Sequence, residues 1–146
     1  MLSVVIATHD SERALLPTLA ALVSGAAAGI VREVIVADAG SRDATTAIAD
    51  GAGCCVLVSA QGRGARLKAA AEAARAPWLL FLRPGVVLDA TWVDETRRFV
   101  EEAELRGCAG THAAVFRAST FRPALLEALA LWGPRSAQNR MQAKDW

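Results

Sequence analysis

The chain has 146 residues, of which 53% are hydrophobic and 21% charged, with a net charge of +1. This predicts one globular domain with a single core and excludes a disordered chain. The charge balance gives no general handle for nucleic acid or acidic membranes, and the absence of tyrosine weakens any reading based on base stacking.

Strands and helices alternate from the first residue. Leu2 to Ala7 reads as a buried strand. Its apolar run is too short for a signal peptide or a membrane span, and no basic segment precedes it, which predicts a cytoplasmic protein. Pro17 suits the first turn of a helix, so the next helix is expected from near Leu16 to about Ser24, with Gly25 and Gly29 at its exit. Arg32 to Ala37 has the β-branched content of a strand covered on both faces. Asp43 to Asp50 follows as a short helix, and Cys54 to Val58 as a third strand. Gly64 to Arg75 is an alanine-rich helix whose small side chains allow close packing on a sheet.

Pro77 stops that helix, and Trp78 to Leu82 is a fourth, wholly apolar strand. From Thr91 to Arg106, Trp92, Val93, Thr96, Phe99, Val100 and Ala103 share one helical face, with Thr91-Trp-Val-Asp94 as a capping motif. Ala113 to Arg117 and Pro123 to Leu131 are the expected last strand and helix. The domain is read as residues 1–133, and 134–146 as a polar tail. Cys54, Cys55 and Cys108 fit neither a disulfide framework nor metal-ligand spacing and read as buried thiols. The βαβα order predicts an α/β fold of three layers around a mostly parallel sheet.

In such a sheet the loops after strands one, two and four gather at the carboxyl edge, where open α/β folds bind ligands. That edge collects Thr8-His9-Asp10, Asp38-Ala39-Gly40-Ser41 and Arg83-Pro84-Gly85. Asp38, at a strand tip, is read as an acceptor for a nucleobase or sugar. Asp43 also reads as a helix N-cap, and His9 as a hydrogen-bonded loop residue. A fourth loop, Gln61-Gly-Arg63-Gly-Ala-Arg66-Leu-Lys68, opens the alanine-rich helix and has the makings of a phosphate cradle. Its cations equally suit the solvated face of a helix.

Together these segments resemble the family 2 glycosyltransferases of the GT-A fold, in their short bacterial branch. Ser3-Val-Val-Ile-Ala-Thr8-His-Asp10-Ser-Glu12 looks like that family's opening strand and turn. Asp38-Ala-Gly40-Ser41-Arg-Asp43, Gly62-Arg63-Gly64-Ala65-Arg66 and Trp78-Leu-Leu-Phe-Leu82 are similar to its next three motifs. The likeness covers residues 2 to about 117. It implies a Rossmann-like nucleotide-diphospho-sugar transferase, with Thr8, Glu12 and Asp38 holding base and ribose and Arg66 and Lys68 near the diphosphate. The partners implied are a nucleotide-diphosphate sugar and an unidentified acceptor.

The resemblance also implies Mg²⁺ or Mn²⁺ on an Asp-x-Asp motif after the fourth strand, but Arg83-Pro84-Gly85 stands there and offers no hard-cation ligand. Arg83 puts a permanent cation at that place, able to neutralise a diphosphate directly. The simpler reading is a solvated residue before a bend made by Pro84-Gly85. The carboxylate base expected beyond the fifth strand finds no clear counterpart, since Glu127 lies in a helical pattern and Asp145 in the tail. The acceptor half therefore reads as shortened. A catalytically inactive module that binds a nucleotide sugar or a protein is the alternative, and an uncovered apolar edge would favour a homodimer. No glycine-rich loop follows the first strand, which argues against a sugar-nucleotide pyrophosphorylase or a dinucleotide-binding oxidoreductase.

Overall fold

The structure, a computed structural model, describes residues 1–106. The elements are β1 (Leu2–Thr8), α1 (Glu12–Ala27), β2 (Val31–Asp38), α2 (Thr45–Gly51), β3 (Cys55–Val58), α3 (Arg63–Ala73), β4 (Trp78–Leu82) and α4 (Trp92–Leu105). The expected strand at 113–117, the helix at 123–131, the tail, Cys108, Glu127 and Asp145 lie outside the described residues.

All four strands are parallel, in the order β3-β2-β1-β4. The two-residue period of each strand divides the core into two layers. Leu2, Val4 and Ile6 of β1 join Val36, Trp78, Leu80 and Leu82 in a cluster that buries Leu15 and Leu22 of α1, Ala49 of α2 and Trp92 of α4. The alternate residues Val5, Ile35, Ala37 and Leu79 face the other way, against Ala70, Ala71 and Ala74. Alanines on α3 let the helix lie close on the sheet, while the bulkier cluster fills the wider layer opposite.

Helix α1 begins at Glu12, not near Leu16, so Pro17 lies inside it. Its first turn is fixed from a distant loop: the Glu12 amide donates to Asp43 Oδ2 at 3.0 Å. Pro17 is exposed, so the carbonyl it deprives of a donor lies on the solvent side of the helix. One residue on, the Gly85 amide approaches Ala14 O at 2.8 Å and Thr18 Oγ1 at 2.9 Å, tying the β4–α4 loop to α1. Gly25 is not an exit residue but part of α1, and packing explains it. A Cβ there would sit 2.3 Å from the Trp92 ring, whose indole N–H donates to Ser24 Oγ at 3.1 Å.

Helix α4 presents the expected face, with Trp92, Thr96 and Ala103 buried. Its capping differs from expectation, because Thr91 makes no side-chain cap. Asp89 instead accepts from the Thr91 amide at 3.0 Å, and the Thr91 hydroxyl donates to Glu95 at 2.9 Å. Among the described residues the buried Thr96 hydroxyl has no hydrogen-bond partner. Replacing it with isosteric valine removes an unsatisfied polar group, so Thr96→Val is expected to raise unfolding stability by about 1 kcal/mol in urea titration. An unchanged or lower midpoint would contradict that account.

At the amino edge of the sheet, Glu33 accepts from Ser3 Oγ at 2.7 Å, from the Arg75 amide at 2.6 Å and from Arg75 Nε at 2.9 Å. Ser3 Oγ in turn accepts from the Ala76 amide at 3.1 Å. This network fixes the crossover from α3 into β4 and leaves the opposite edge to carry ligand chemistry. Cys54 is half-buried and Cys55 exposed, so the expectation of buried thiols fails for Cys55, on an edge strand. Among the described residues no helix is long and apolar enough to cross a membrane.

Candidate functional site

Thr8 and Asp38 are register partners at the carboxyl ends of β1 and β2, so the two strand tips meet on one rim. The Thr8 hydroxyl donates to Asp38 Oδ1 at 2.6 Å, and the Ser41 hydroxyl to the same oxygen at 2.5 Å. Oδ2 accepts the amides of Gly40 at 2.8 Å and Ser41 at 2.6 Å. Gly40 has φ +86, a left-handed conformation that suits glycine and lets the chain fold back over the carboxylate. Burial pushes the Asp38 carboxyl up, but the Ser41 and Thr8 hydroxyls and the two amides overcome this and hold it below its usual range.

Asp38 is 0% exposed. Whereas the sequence reads its side chain as a ligand-facing acceptor, in this geometry both oxygens are turned inward and accept from these four donors. Its place at the strand tip is as expected, but its carboxylate organises the turn.

The two loops beside it are fastened to each other by reciprocal hydrogen bonds. The Asp10 amide donates to Ser41 Oγ at 2.9 Å, and Asp10 Oδ1 accepts from the Arg42 amide at 2.7 Å. Glu12 Oε2 accepts from the Ala44 amide at 3.1 Å, while Asp43 holds the Glu12 and Thr45 amides, each at 3.0 Å. The Ser11 amide donates to Thr45 Oγ1 at 2.8 Å. Asp10 has φ +44, a conformation that aspartate tolerates better than most residues. Asp43 thus serves the starts of both α1 and α2, a double role not seen in the sequence. His9 is exposed, with Nε2 3.7 Å from Asp10 Oδ2.

The cations separate into two groups. Arg66 is only 9% exposed, and its Nη1 donates to Thr8 O at 2.9 Å and Ala37 O at 2.8 Å, with Nε on Gln61 O at 3.2 Å. Its guanidinium binds carbonyls at the ends of β1 and β2, the last of β1 and the last but one of β2, a structural task that composition alone does not reveal. Arg83 directly follows Leu82, the register partner of Ile6, and so stands at the same edge. Burial, then repulsion from Arg83 and Arg66, holds Arg63 below the usual guanidinium value, which marks the three as one electrostatic cluster. Lys68 stands apart: its side chain is 74% exposed and pairs with Glu72 at 3.9 Å. The solvated-face reading holds for Lys68 and not for Arg66.

Among the described residues this edge offers no ready ligand set for a divalent metal. Among the described residues no three His, Cys, Asp or Glu side chains converge. Asp38 has no free oxygen, Pro84 and Gly85 bring no side-chain ligand, and Asp89 is engaged at the start of α4. Three guanidiniums would repel the ion.

The sequence profile of the family described as Glycosyl transferase family 2 matches residues 3–145. The comparison with curated proteins found no match. Among solved structures, a crystal structure of a mycobacterial protein is 20% identical with a TM-score of 0.68, over 93% of this chain and 53% of that one. Glucosyl-3-phosphoglycerate synthase from Mycobacterium tuberculosis, in complex with Mn²⁺, UDP and phosphoglyceric acid, is 17% identical with a TM-score of 0.66, over 93% and 56%. S. aureus TarS 1–349 in complex with UDP is 17% identical with a TM-score of 0.64, over 86% and 38%. The chain thus spans 38% to 56% of the length of the last two, and the likeness to all three is one of fold.

Proposed function

Because this chain belongs to glycosyl transferase family 2 and has its GT-A α/β fold, we propose that the carboxyl edge of its sheet binds a nucleotide-diphosphate sugar and supports transfer of the sugar to an acceptor. The observation that carries this reading is the meeting of Thr8, Asp38 and the Arg63–Arg66–Arg83 cluster along one rim. The fastened loops around Asp10, Glu12, Gly40 and Ser41 supply a stiff wall for the nucleoside, with Asp38 and Thr8 acting beneath it as its frame. Stiffness matters because a preorganised site spends less binding energy on ordering itself.

The cluster and the first turn of α3 suit the diphosphate. Breaking the sugar–phosphate bond leaves negative charge on the departing nucleotide, and fixed guanidiniums stabilise charge that develops there. UDP bound to TarS and to the M. tuberculosis synthase supports a uridine donor as the first to test.

A second reading, a binding module without turnover, is favoured by one observation. Among the described residues, each acid on this rim (Asp10, Glu12, Asp38 and Asp43) already accepts hydrogen bonds from the loops, so none is a wholly uncommitted base for an acceptor hydroxyl. To separate the two, the protein is incubated with a panel of UDP- and GDP-sugars while thermal stability and released nucleoside diphosphate are followed. The enzyme reading expects a melting shift with at least one donor and slow release of its diphosphate. Shift without release across donors and acceptors supports the module, and no shift with any donor removes both.

A further inference from the structure

We propose that Arg63, Arg66 and Arg83 form a diphosphate site that takes the metal-free anion, so that a divalent cation weakens binding instead of completing it. This inference rests on the reading of the rim as a donor site and concerns how that site balances charge.

The three guanidiniums come from two segments brought together by the topology. Arg63 and Arg66 are three residues apart on α3 and share a face of that helix. Arg83 arrives from β4, which pairs directly with β1. Arg66 cannot drift away, because Thr8 O and Ala37 O hold its Nη1 at 2.9 and 2.8 Å. Among the described residues its bonded partners are carbonyl oxygens, and it forms no ion pair with a carboxylate. Clustering cations costs energy, and Arg63 registers that cost in the repulsion from its two neighbours. A multiply charged anion relieves it, whereas a divalent cation adds to it.

The competition follows from ligand chemistry. Guanidinium forks bind phosphate through its oxygens, often two at a time. Mg²⁺ also binds nucleotides through phosphate oxygens and keeps its remaining water tightly, so the metal complex presents fewer oxygens and less charge. A site that supplied carboxylates would welcome that complex. Among the described residues Asp38 has no oxygen to spare for it, Asp10 and Glu12 are each tied by one oxygen to the facing loop, and the Gly85 amide beside Arg83 is already committed to α1.

The test is calorimetric titration of the full chain with inorganic pyrophosphate and with UDP, in EDTA and in excess Mg²⁺ or Mn²⁺. Both ligands are expected to bind in EDTA and to bind several-fold more weakly with metal. Arg83→Gln should weaken binding in EDTA by roughly tenfold to a hundredfold, as expected for loss of a charge-assisted contact. Arg63→Gln repeats the measurement should the first variant fail to fold, as judged by circular dichroism. UDP binding that appears or tightens only with metal overturns the inference and leaves the donor-site reading standing. Variants that bind like the wild type overturn the role of the cluster. Absence of UDP binding in every buffer removes the donor-site reading as well.

Discussion

Asp38→Ala is expected to lose about 3–5 kcal/mol of unfolding stability, the range for breaking a buried, hydrogen-bonded charge. The wild-type carboxylate is fully buried and takes two hydroxyls and two amides, so alanine strands four donors at the junction of β1 and β2. Asp38→Asn keeps the shape but turns one acceptor into a donor facing other donors, and about half that loss is expected. The pH dependence has a definite sign. The folded-state value is depressed, so this contribution is complete above the unfolded value of about 3.9 and disappears as pH falls through the folded one. Urea unfolding at pH 7 and along a series below pH 5 measures both effects. The wild type should lose stability over its neutral variant as the pH drops, and a gap between them that stays constant with pH would sink this account of Asp38.

The strands and α4 were legible because their signals are local. Trp78 to Leu82 needs no partner to read as a strand, and the α4 face follows from a period of three to four residues. The start of α1 is not legible in the sequence for the opposite reason. A proline at position 17 suggests a first turn, yet the start is set by Asp43 in another loop, which no local pattern reports. Asp38 was correctly placed at a strand tip, but whether a carboxylate faces outward or folds onto its own turn depends on the hydroxyls within reach. The spacing Asp38–Gly40–Ser41 held that signal, since aspartate commonly accepts from amides two and three residues on. The cations could have been sorted by helical period. Arg63 and Arg66 lie three apart, whereas Lys68 is two past Arg66 and falls on another face, four before Glu72. Gly25 looks like punctuation in the sequence because the ring that requires it comes from a helix far along the chain.

Arg66→Met is expected to cost about 1–3 kcal/mol, because two buried carbonyls at the tips of β1 and β2 lose a charged donor, although Thr8 O keeps the Ala39 amide at 3.0 Å. Methionine keeps the length and apolar stem of arginine, so the loss isolates the guanidinium from simple packing. Arg66→Lys should recover only part of it, since an ammonium lacks the planar fork that spans both carbonyls while Nε reaches Gln61 O. Lys68→Ala serves as the control: its ion pair with Glu72 is exposed, and a change within about 0.5 kcal/mol is expected. Denaturant titration of the three variants, repeated with pyrophosphate, separates the two tasks of Arg66. If the guanidinium both holds the strand tips and helps receive the anion, Arg66→Met loses stability without ligand and also loses most of the stabilisation that ligand adds. If it only holds the tips, the first loss appears and the ligand-induced gain is retained. Stability equal to wild type without ligand would mean that neither carbonyl depends on the arginine, and the rim would then owe its shape to the Asp38 turn alone.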